Sequence, residues 1–326
     1  MYVYGPVPSR RLGRSLGVSP IPSKTCSYSC VYCQLGRTNH LQIKRESFFS
    51  KHDIFAETIK YCQTTIPDYI TFAGDGEPTL CRDLGWLIRH IKTSLRIPTA
   101  VITNSSLLYR KDIRQDLEKA DVVIPSIDAG DARLYNIINR PHSGIDFHTM
   151  VNGLIDFSQE FSGKLWLEIM LVKGLNDSPE EINKIAKIID KIKPNRVYLL
   201  TPTRPPAESW VTPPYSGSLL KAQELLKEVI PIVEYETGEI ELDNFNNAAQ
   251  SIIEIGSRHP MRREQIEQIE KHFKEQGTID QLIKEGKLIE QNYNGTIYLL
   301  PNKLSPHFQI KEISKSTDQI NNQGEN

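Results

Sequence analysis

The 326-residue sequence lacks features that would place it in several broad classes of protein. No apolar run approaches the ~20 residues that a membrane-spanning helix needs. The opening segment, MYVYGPVPSRRLGRSLG, has no apolar core of signal-peptide length. The formal net charge is only −1, so no overall field attracts nucleic acid or an anionic membrane. We therefore expect a cytoplasmic protein with no membrane partner.

Cysteine is also scarce, and its distribution is uneven. Three of the five cysteines, Cys26, Cys30 and Cys33, lie within eight residues, whereas Cys62 and Cys81 stand alone. An odd count with one tight cluster indicates a metal site rather than a disulfide framework, and a reducing cytosol keeps thiols free. We expect the two isolated cysteines to be small buried hydrophobic residues.

Strand-like and helical patterns alternate between residues 54 and 245, which predicts a parallel sheet with crossover helices. The predicted strands are residues 69–73, 99–103, 122–128, 165–172 and 196–200, and the predicted helices are residues 54–62, 84–95, 113–119, 149–157 and 179–191. A first strand before the cysteines brings the count to about six βα units, too few for a closed eight-stranded barrel. The predicted fold class is α/β, a partial (β/α)6 barrel of parallel strands.

The remainder of the chain has a different pattern. The pattern predicts three helices, one ending at residue 255 and two over residues 260–273 and 279–285. Two apolar runs follow, at residues 287–291 and 296–300, and Asn294-Gly295 between them predicts a hairpin. This order resembles a winged-helix domain. We expect a catalytic domain over residues 1–245, a winged-helix-like domain over 246–305 and a polar, disordered tail over 306–326. Nucleic acid is a possible partner of that domain, but 10 Lys and Arg against 11 Asp and Glu after residue 250 do not support it.

The three clustered cysteines form a C-x3-C-x2-C loop. Three thiolates can hold an iron–sulfur cluster and leave one iron without a protein ligand. The spacing, with the aromatic Tyr32 directly before Cys33, resembles the radical S-adenosylmethionine (SAM) superfamily. That resemblance implies a [4Fe-4S] cluster whose open iron binds SAM, and it places Tyr32 against the adenine. The alternative is a zinc site formed by the same thiols and His40.

Further residues match the superfamily in the order in which it has them. Gly74-Asp75-Gly76-Glu77 follows a predicted strand and resembles the family's "GGE" element, whose glycines allow the backbone close to SAM. The resemblance also implies SAM contacts at the ends of later strands and in the loop that follows: Asn104, Ser126, Asp128 and Arg140. For Asn104 an Asx turn, and for Asp128 a helix cap, are the alternatives.

Two charged residues are candidates for contacts in the predicted barrel mouth. Glu168 alternates with apolar neighbours, so it faces either SAM or substrate, or a structural ion-pair partner. Arg204, set between prolines, presents a guanidinium suited to a carboxylate or phosphate, or is an ordinary surface arginine.

Across residues 8–212 the sequence resembles one branch of the superfamily, the iron–sulfur oxidoreductases related to the archaeal tRNA wyosine-synthesis enzyme. Segments 8–17, 33–38, 172–177 and 201–206 carry the likeness. That enzyme holds a second cluster on cysteines upstream of the loop, and this sequence has no cysteine before Cys26. This departure weighs against wyosine chemistry.

Together these patterns predict an oxidoreductase that cleaves SAM reductively with one [4Fe-4S] cluster. The product, a 5′-deoxyadenosyl radical, would act on an unidentified substrate, and an external flavodoxin- or ferredoxin-like protein would donate electrons. The alternative is a regulator that senses iron or redox state, or binds nucleic acid, through a structural metal site.

Overall fold

The structure is a computed structural model that describes residues 1–232, 238 and 240–302. The predicted tail over 306–326 lies outside the described residues.

The strands and helices alternate along most of the described chain. The strands are β1 Val3–Ser9, β2 Gly13–Val18, β3 Thr25–Cys26, β4 His40–Leu41, β5 Tyr69–Phe72, β6 Thr99–Thr103, β7 Val122–Pro125, β8 Lys164–Met170, β9 Arg196–Leu200, β10 Val229–Ile232, β11 Met261–Arg262, β12 Leu288–Tyr293 and β13 Thr296–Pro301. The helices are α1 Lys51–Thr64, α2 Leu84–Leu95, α3 Lys111–Leu117, α4 Ala132–Ile138, α5 Phe147–Glu160, α6 Pro179–Ile192, α7 Ser216–Leu226, α8 Ala248–Gly256, α9 Arg263–Phe273 and α10 Thr278–Lys284.

The main sheet has eight strands in the order β1-β2-β5-β6-β7-β8-β9-β10. All neighbouring pairs are parallel except β1 and β2. The six predicted parallel strands are present as β2 and β5 to β9, and β1 and β10 extend the two edges beyond the prediction. The sheet curls without closing, which confirms the partial barrel.

The parallel strands bury both faces, as a sheet between helices and a filled barrel interior requires. On β8, Leu165, Leu167 and Ile169 pack towards the helices. Trp166 packs in a separate cluster on the concave face. Because side chains alternate along a strand, Glu168 shares this concave face, as the sequence predicts.

Helix α6 shows why the crossover helices form. Ser178 caps its start by accepting a hydrogen bond from the N–H of Glu181, and Pro179 occupies the first turn. Isoleucines three or four residues apart then form the buried stripe that packs on the sheet: Ile182, Ile185, Ile188 and Ile192.

The carboxyl-terminal segment folds as three helices and a small sheet of order β11-β13-β12. The predicted helix over 260–273 starts too early, because Met261 and Arg262 pair with β13 and the helix begins at Arg263. The core of this segment includes Val7 of β1. The segment therefore packs directly on the amino-terminal hairpin.

The short elements α4 and α7 were not expected from the sequence.

Among the described residues, no helix combines the length and the apolar character that crossing a membrane would require.

Candidate functional site

The cysteine loop follows β2 and lies at the carboxyl ends of the parallel strands. Cys26 ends β3, and the N–H of Cys33 bonds the carbonyl of Cys30 at 3.1 Å. The N–H of Val31 bonds the carbonyl of Ile138, the last residue of α4, at 2.9 Å. The loop is therefore held by the barrel as well as by its own turns.

The three thiols line a single cavity of about 230 Å³. Seven of the nine residues expected to contact SAM line the same cavity: Tyr32, Gly74, Asp75, Gly76, Glu77, Asn104 and Ser126. The structure thus brings together residues from the cysteine loop and from the ends of β5, β6 and β7.

Amide groups contact two of the thiols. Asn104 Nδ2 lies 3.4 Å from Cys26 Sγ, and Asn139 Nδ2 lies 3.6 Å from Cys30 Sγ. Burial, together with the nearby Glu77 carboxylate, raises the pKa of the Cys26 thiol to about 12. Thiolates at this site therefore need a compensating positive charge, and amide donors to sulfur are typical around iron–sulfur clusters.

The geometry fits a cluster better than a single zinc ion. In the described part of the chain, no three His, Cys, Asp or Glu side chains converge closely enough to hold one metal ion. His40, the fourth ligand of the zinc alternative, is exposed and does not line the thiol cavity. Three thiols spread around a cavity suit a cluster of several iron and sulfide atoms.

The turn after β5 approaches the cysteine loop very closely. Gly74 has a φ of +117°, which favours glycine. A Cβ on Gly76 would lie 1.9 Å from the carbonyl oxygen of Thr25. Glycine at this position is therefore required for contact between the turn and the loop.

Glu77 ends this turn as a fully enclosed carboxylate. Its Oε1 accepts from Thr79 Oγ1 at 2.5 Å and from Thr103 Oγ1 at 2.7 Å, and its Oε2 accepts from the N–H of Asn104 at 2.7 Å. Burial raises the pKa of Glu77, whereas these donors act in the opposite direction. The carboxylate thereby connects the turn to the end of β6.

Asp128 lies behind the cavity wall. Its Oδ2 accepts from Tyr32 Oη at 2.5 Å and from Asn139 Nδ2 at 2.8 Å, and its Oδ1 accepts from the N–H of Met170. Burial raises the pKa of Asp128, and the Tyr32 hydroxyl opposes that shift. The carboxylate thus positions Tyr32, which itself lines the cavity.

Arg140 also does not line the thiol cavity. Its NH1 pairs with Glu208 Oε1 at 2.5 Å, and its side chain is partly exposed. Arg37 pairs with the other oxygen of the same carboxylate at 2.9 Å. In this arrangement the guanidinium ties the segment after α4 to the loop after β9.

A second and a third cavity adjoin the first, and Gln34, directly after Cys33, lines all three. Glu168 lines the third cavity and pairs with Arg11 NH1 at 2.7 Å. Arg204 NH1 donates to Gln34 Oε1 at 2.7 Å. Both residues singled out in the barrel mouth therefore lie beside the thiol site.

The sequence did not indicate Gln34, Arg11 or Arg258 as residues of the site. Arg258 Nε donates to Asp75 Oδ2 at 2.8 Å, and its carbonyl accepts from Gln34 Nε2 at 3.2 Å. Arg258, His259, Arg262 and Arg263 lie close together in the sequence, and this basic cluster is the local feature that could have drawn attention to Arg258. In the structure, Arg258 faces the barrel mouth, whereas Arg263 pairs with glutamates of its own segment.

Comparisons with known proteins agree with this architecture. A model of the Radical SAM superfamily matches residues 21–199. A UPF0026 protein of Methanocaldococcus jannaschii is 38% identical over 307 residues, which are 92% of this chain and 95% of that protein.

Two solved structures share the fold. A radical SAM methyltransferase from Sphaerobacter thermophilus superposes with a TM-score of 0.52 at 15% identity, covering 69% of this chain and 67% of that one. Streptococcus suis SuiB bound to S-adenosylmethionine superposes with a TM-score of 0.51 at 18% identity. That match covers 67% of this chain and half of the SuiB chain.

Proposed function

Because this chain belongs to the radical SAM superfamily, we propose that Cys26, Cys30 and Cys33 hold a single [4Fe-4S] cluster and that SAM binds in the adjoining cavity. The family establishes an enzyme that uses both cofactors. When bound, the cluster would supply one electron that cleaves SAM to methionine and a 5′-deoxyadenosyl radical, and this radical would abstract a hydrogen atom from the substrate. The observation that carries the proposal is the single cavity shared by the three thiols and the turn over residues 74–77.

The protein's own residues position SAM and exclude water from it. Gly74 and Gly76 bring the backbone of the turn to the cavity, where its polar groups would meet the ammonium of bound SAM. Tyr32, whose hydroxyl donates to Asp128, would lie against the adenine of bound SAM. Asn104 and Ser126 provide polar contacts at the ends of two neighbouring strands.

A single cluster is favoured by the positions of the other two cysteines. Cys81 is 2% exposed and packs in the main core, and burial raises its pKa to about 12. Cys62, on α1, packs against the same core, and burial raises its pKa to about 11. Neither lines the thiol cavity, so both serve as small hydrophobic residues.

The carboxyl-terminal segment is proposed to be a winged-helix-like domain that covers the barrel mouth. Its three helices, α8, α9 and α10, and its sheet order β11-β13-β12 support the assignment. Tyr293 and Tyr298 donate to carbonyls of the loop after β9, at 3.3 and 2.6 Å. These contacts favour a role within the enzyme over a nucleic-acid surface.

A flavodoxin- or ferredoxin-like protein is the proposed electron donor.

Anaerobic reconstitution with iron and sulfide, followed by dithionite and SAM, tests the proposal. We expect a brown holoprotein that releases 5′-deoxyadenosine, and Cys30→Ala should lose both the colour and the cleavage. Cys62→Ala is the matched control and should retain both. An intact cluster that yields no 5′-deoxyadenosine would show that the proposed reaction is wrong.

A further inference from the structure

A cavity of about 290 Å³ lies next to the thiol cavity. Its walls come from the β1–β2 hairpin, the ends of β5 and β6, the loop after β9 and the loop between α8 and β11. The two cavities share Gln34, Gly74, Gly76 and Ile102. A small molecule in the second cavity would therefore lie beside the proposed SAM site.

The side chains that line this second cavity are strongly basic. Four arginines and one histidine contribute: Arg10, Arg11, Arg204, Arg258 and His259. Among the described residues that line it there is no Asp or Glu. The basic groups come from three separate parts of the chain, so the tertiary structure has collected them at one place.

Several of these groups are held in fixed orientations. Arg204 NH1 donates to Gln34 Oε1 at 2.7 Å, and its NH2 lies 3.0 Å from His259 Nε2. The Arg258 side chain is 12% exposed and pairs with Asp75. Guanidinium groups fixed in this way suit the planar, bidentate recognition of carboxylate or phosphate.

Arg11 lines this cavity and is held by a carboxylate that lies outside it. One of its terminal nitrogens pairs with Glu168, which lines the third cavity rather than this one. Arg11 itself lines both cavities, so it contributes positive charge to each of them.

We propose that this cavity binds an anionic group of the substrate, a phosphate or carboxylate on a small molecule. The inference rests on the proposed radical SAM function, because the molecule bound in this cavity would be the substrate from which the 5′-deoxyadenosyl radical abstracts hydrogen. It also makes the carboxyl-terminal segment, through Arg258 and His259, part of the substrate pocket.

Isothermal titration calorimetry on the reconstituted protein, with SAM present and no reductant, tests the site. Inorganic phosphate and malonate are the two probes, and they distinguish a phosphate site from a carboxylate site. We expect at least one of them to bind, and Arg204→Gln to weaken that binding about tenfold, or about 1.4 kcal/mol.

The matched control is Arg89→Gln, which removes the same charge at the amino ends of the strands. It should leave anion binding unchanged. If Arg204→Gln fails to fold, Arg204→Lys takes its place. This variant keeps the positive charge but loses the bidentate guanidinium, so it should bind the anion more weakly than the wild type.

Three results would overturn the proposal. The first is that neither probe binds, and the second is that the Arg89 and Arg204 variants weaken anion binding equally. The third is that the anion competes with SAM, which would assign the basic cavity to the carboxylate of SAM. Anion binding without 5′-deoxyadenosine formation would instead refute the radical reaction and leave the anion site intact. Cleavage of SAM without anion binding would refute the anion site alone.

Discussion

The ion pair between Arg258 and Asp75 joins the carboxyl-terminal segment to the glycine-rich turn of the proposed SAM site. Arg258 Nε lies 2.8 Å from Asp75 Oδ2, and the two side chains are only 12% and 6% exposed. Arg258 also donates to the carbonyl of Met1 at 2.9 Å and lies over the ring of Tyr4. We expect Arg258→Gln to leave the Asp75 carboxylate buried without its charged partner.

The magnitude follows from this burial. Removing one partner of a buried ion pair costs about 3–5 kcal/mol, because the remaining charge stays desolvated. Part of this cost should appear as weaker SAM binding, since Asp75 belongs to the turn that borders the proposed SAM cavity. Replacing both residues, as Arg258→Gln with Asp75→Asn, should recover much of the loss.

The assay combines thermal unfolding with SAM titration of the wild type, both single variants and the double variant. Arg263→Gln is the matched control, because Arg263 belongs to the same segment and pairs with Glu267 and Glu290 at 35% exposure. A surface pair of this kind is worth about 0–1 kcal/mol.

The double-mutant cycle decides the outcome. A coupling energy near zero between positions 258 and 75 would refute the reasoning. So would an Arg258→Gln variant that loses no more stability than Arg263→Gln.

Two further predictions concern the close turn and a carboxylate at the opposite end of the sheet. Gly76→Ala should abolish SAM binding and lower the melting temperature, because the added Cβ would overlap the Thr25 carbonyl. Gly217→Ala is the control: open space surrounds this position, so the substitution should be neutral or stabilise the fold by up to about 1 kcal/mol. Burial alone would raise the pKa of Asp121, but hydrogen-bond donors including Lys92 outweigh burial and lower it. The carboxylate therefore stabilises the fold fully at pH values above its unfolded pKa of about 3.9. This contribution is lost as the pH falls through the lower pKa of the folded state. Urea unfolding should therefore show Asp121→Asn about 1 kcal/mol less stable at neutral pH, and a difference that does not shrink below about pH 4 would contradict this.

Much of the barrel could be predicted because its signals are local. Helix α2 and strands β6 and β9 begin and end where the sequence pattern places them, since apolar periodicity and flanking turn residues lie within each element. Strand β7 ends at Pro125, three residues before the predicted end, and beyond it only an isolated bridge between Ser126 and Glu168 continues the pairing.

The edges of the sheet were harder to predict. Strand β10 contains Pro231 and follows the short helix α7, and a proline lowers the strand signal of such a segment. At the other edge, β1 pairs with the predicted strand β2 across Arg10 to Leu12, and the two prolines within β1 lower its strand signal. Both segments become strands because a neighbouring strand provides the hydrogen-bonding partner.

The sequence by itself determined the order of the parallel strands and the grouping of three cysteines within one short loop. It also indicated the glycine-rich turn, because each of these depends on residues close together in the chain. Only the tertiary structure decided that Arg258, 183 residues from Asp75, faces that turn, and that Arg204 meets Gln34. The first contact depends on how the carboxyl-terminal segment packs on the barrel, and the second on how the loop after β9 meets the cysteine loop. Packing between distant segments leaves no periodic pattern in the sequence.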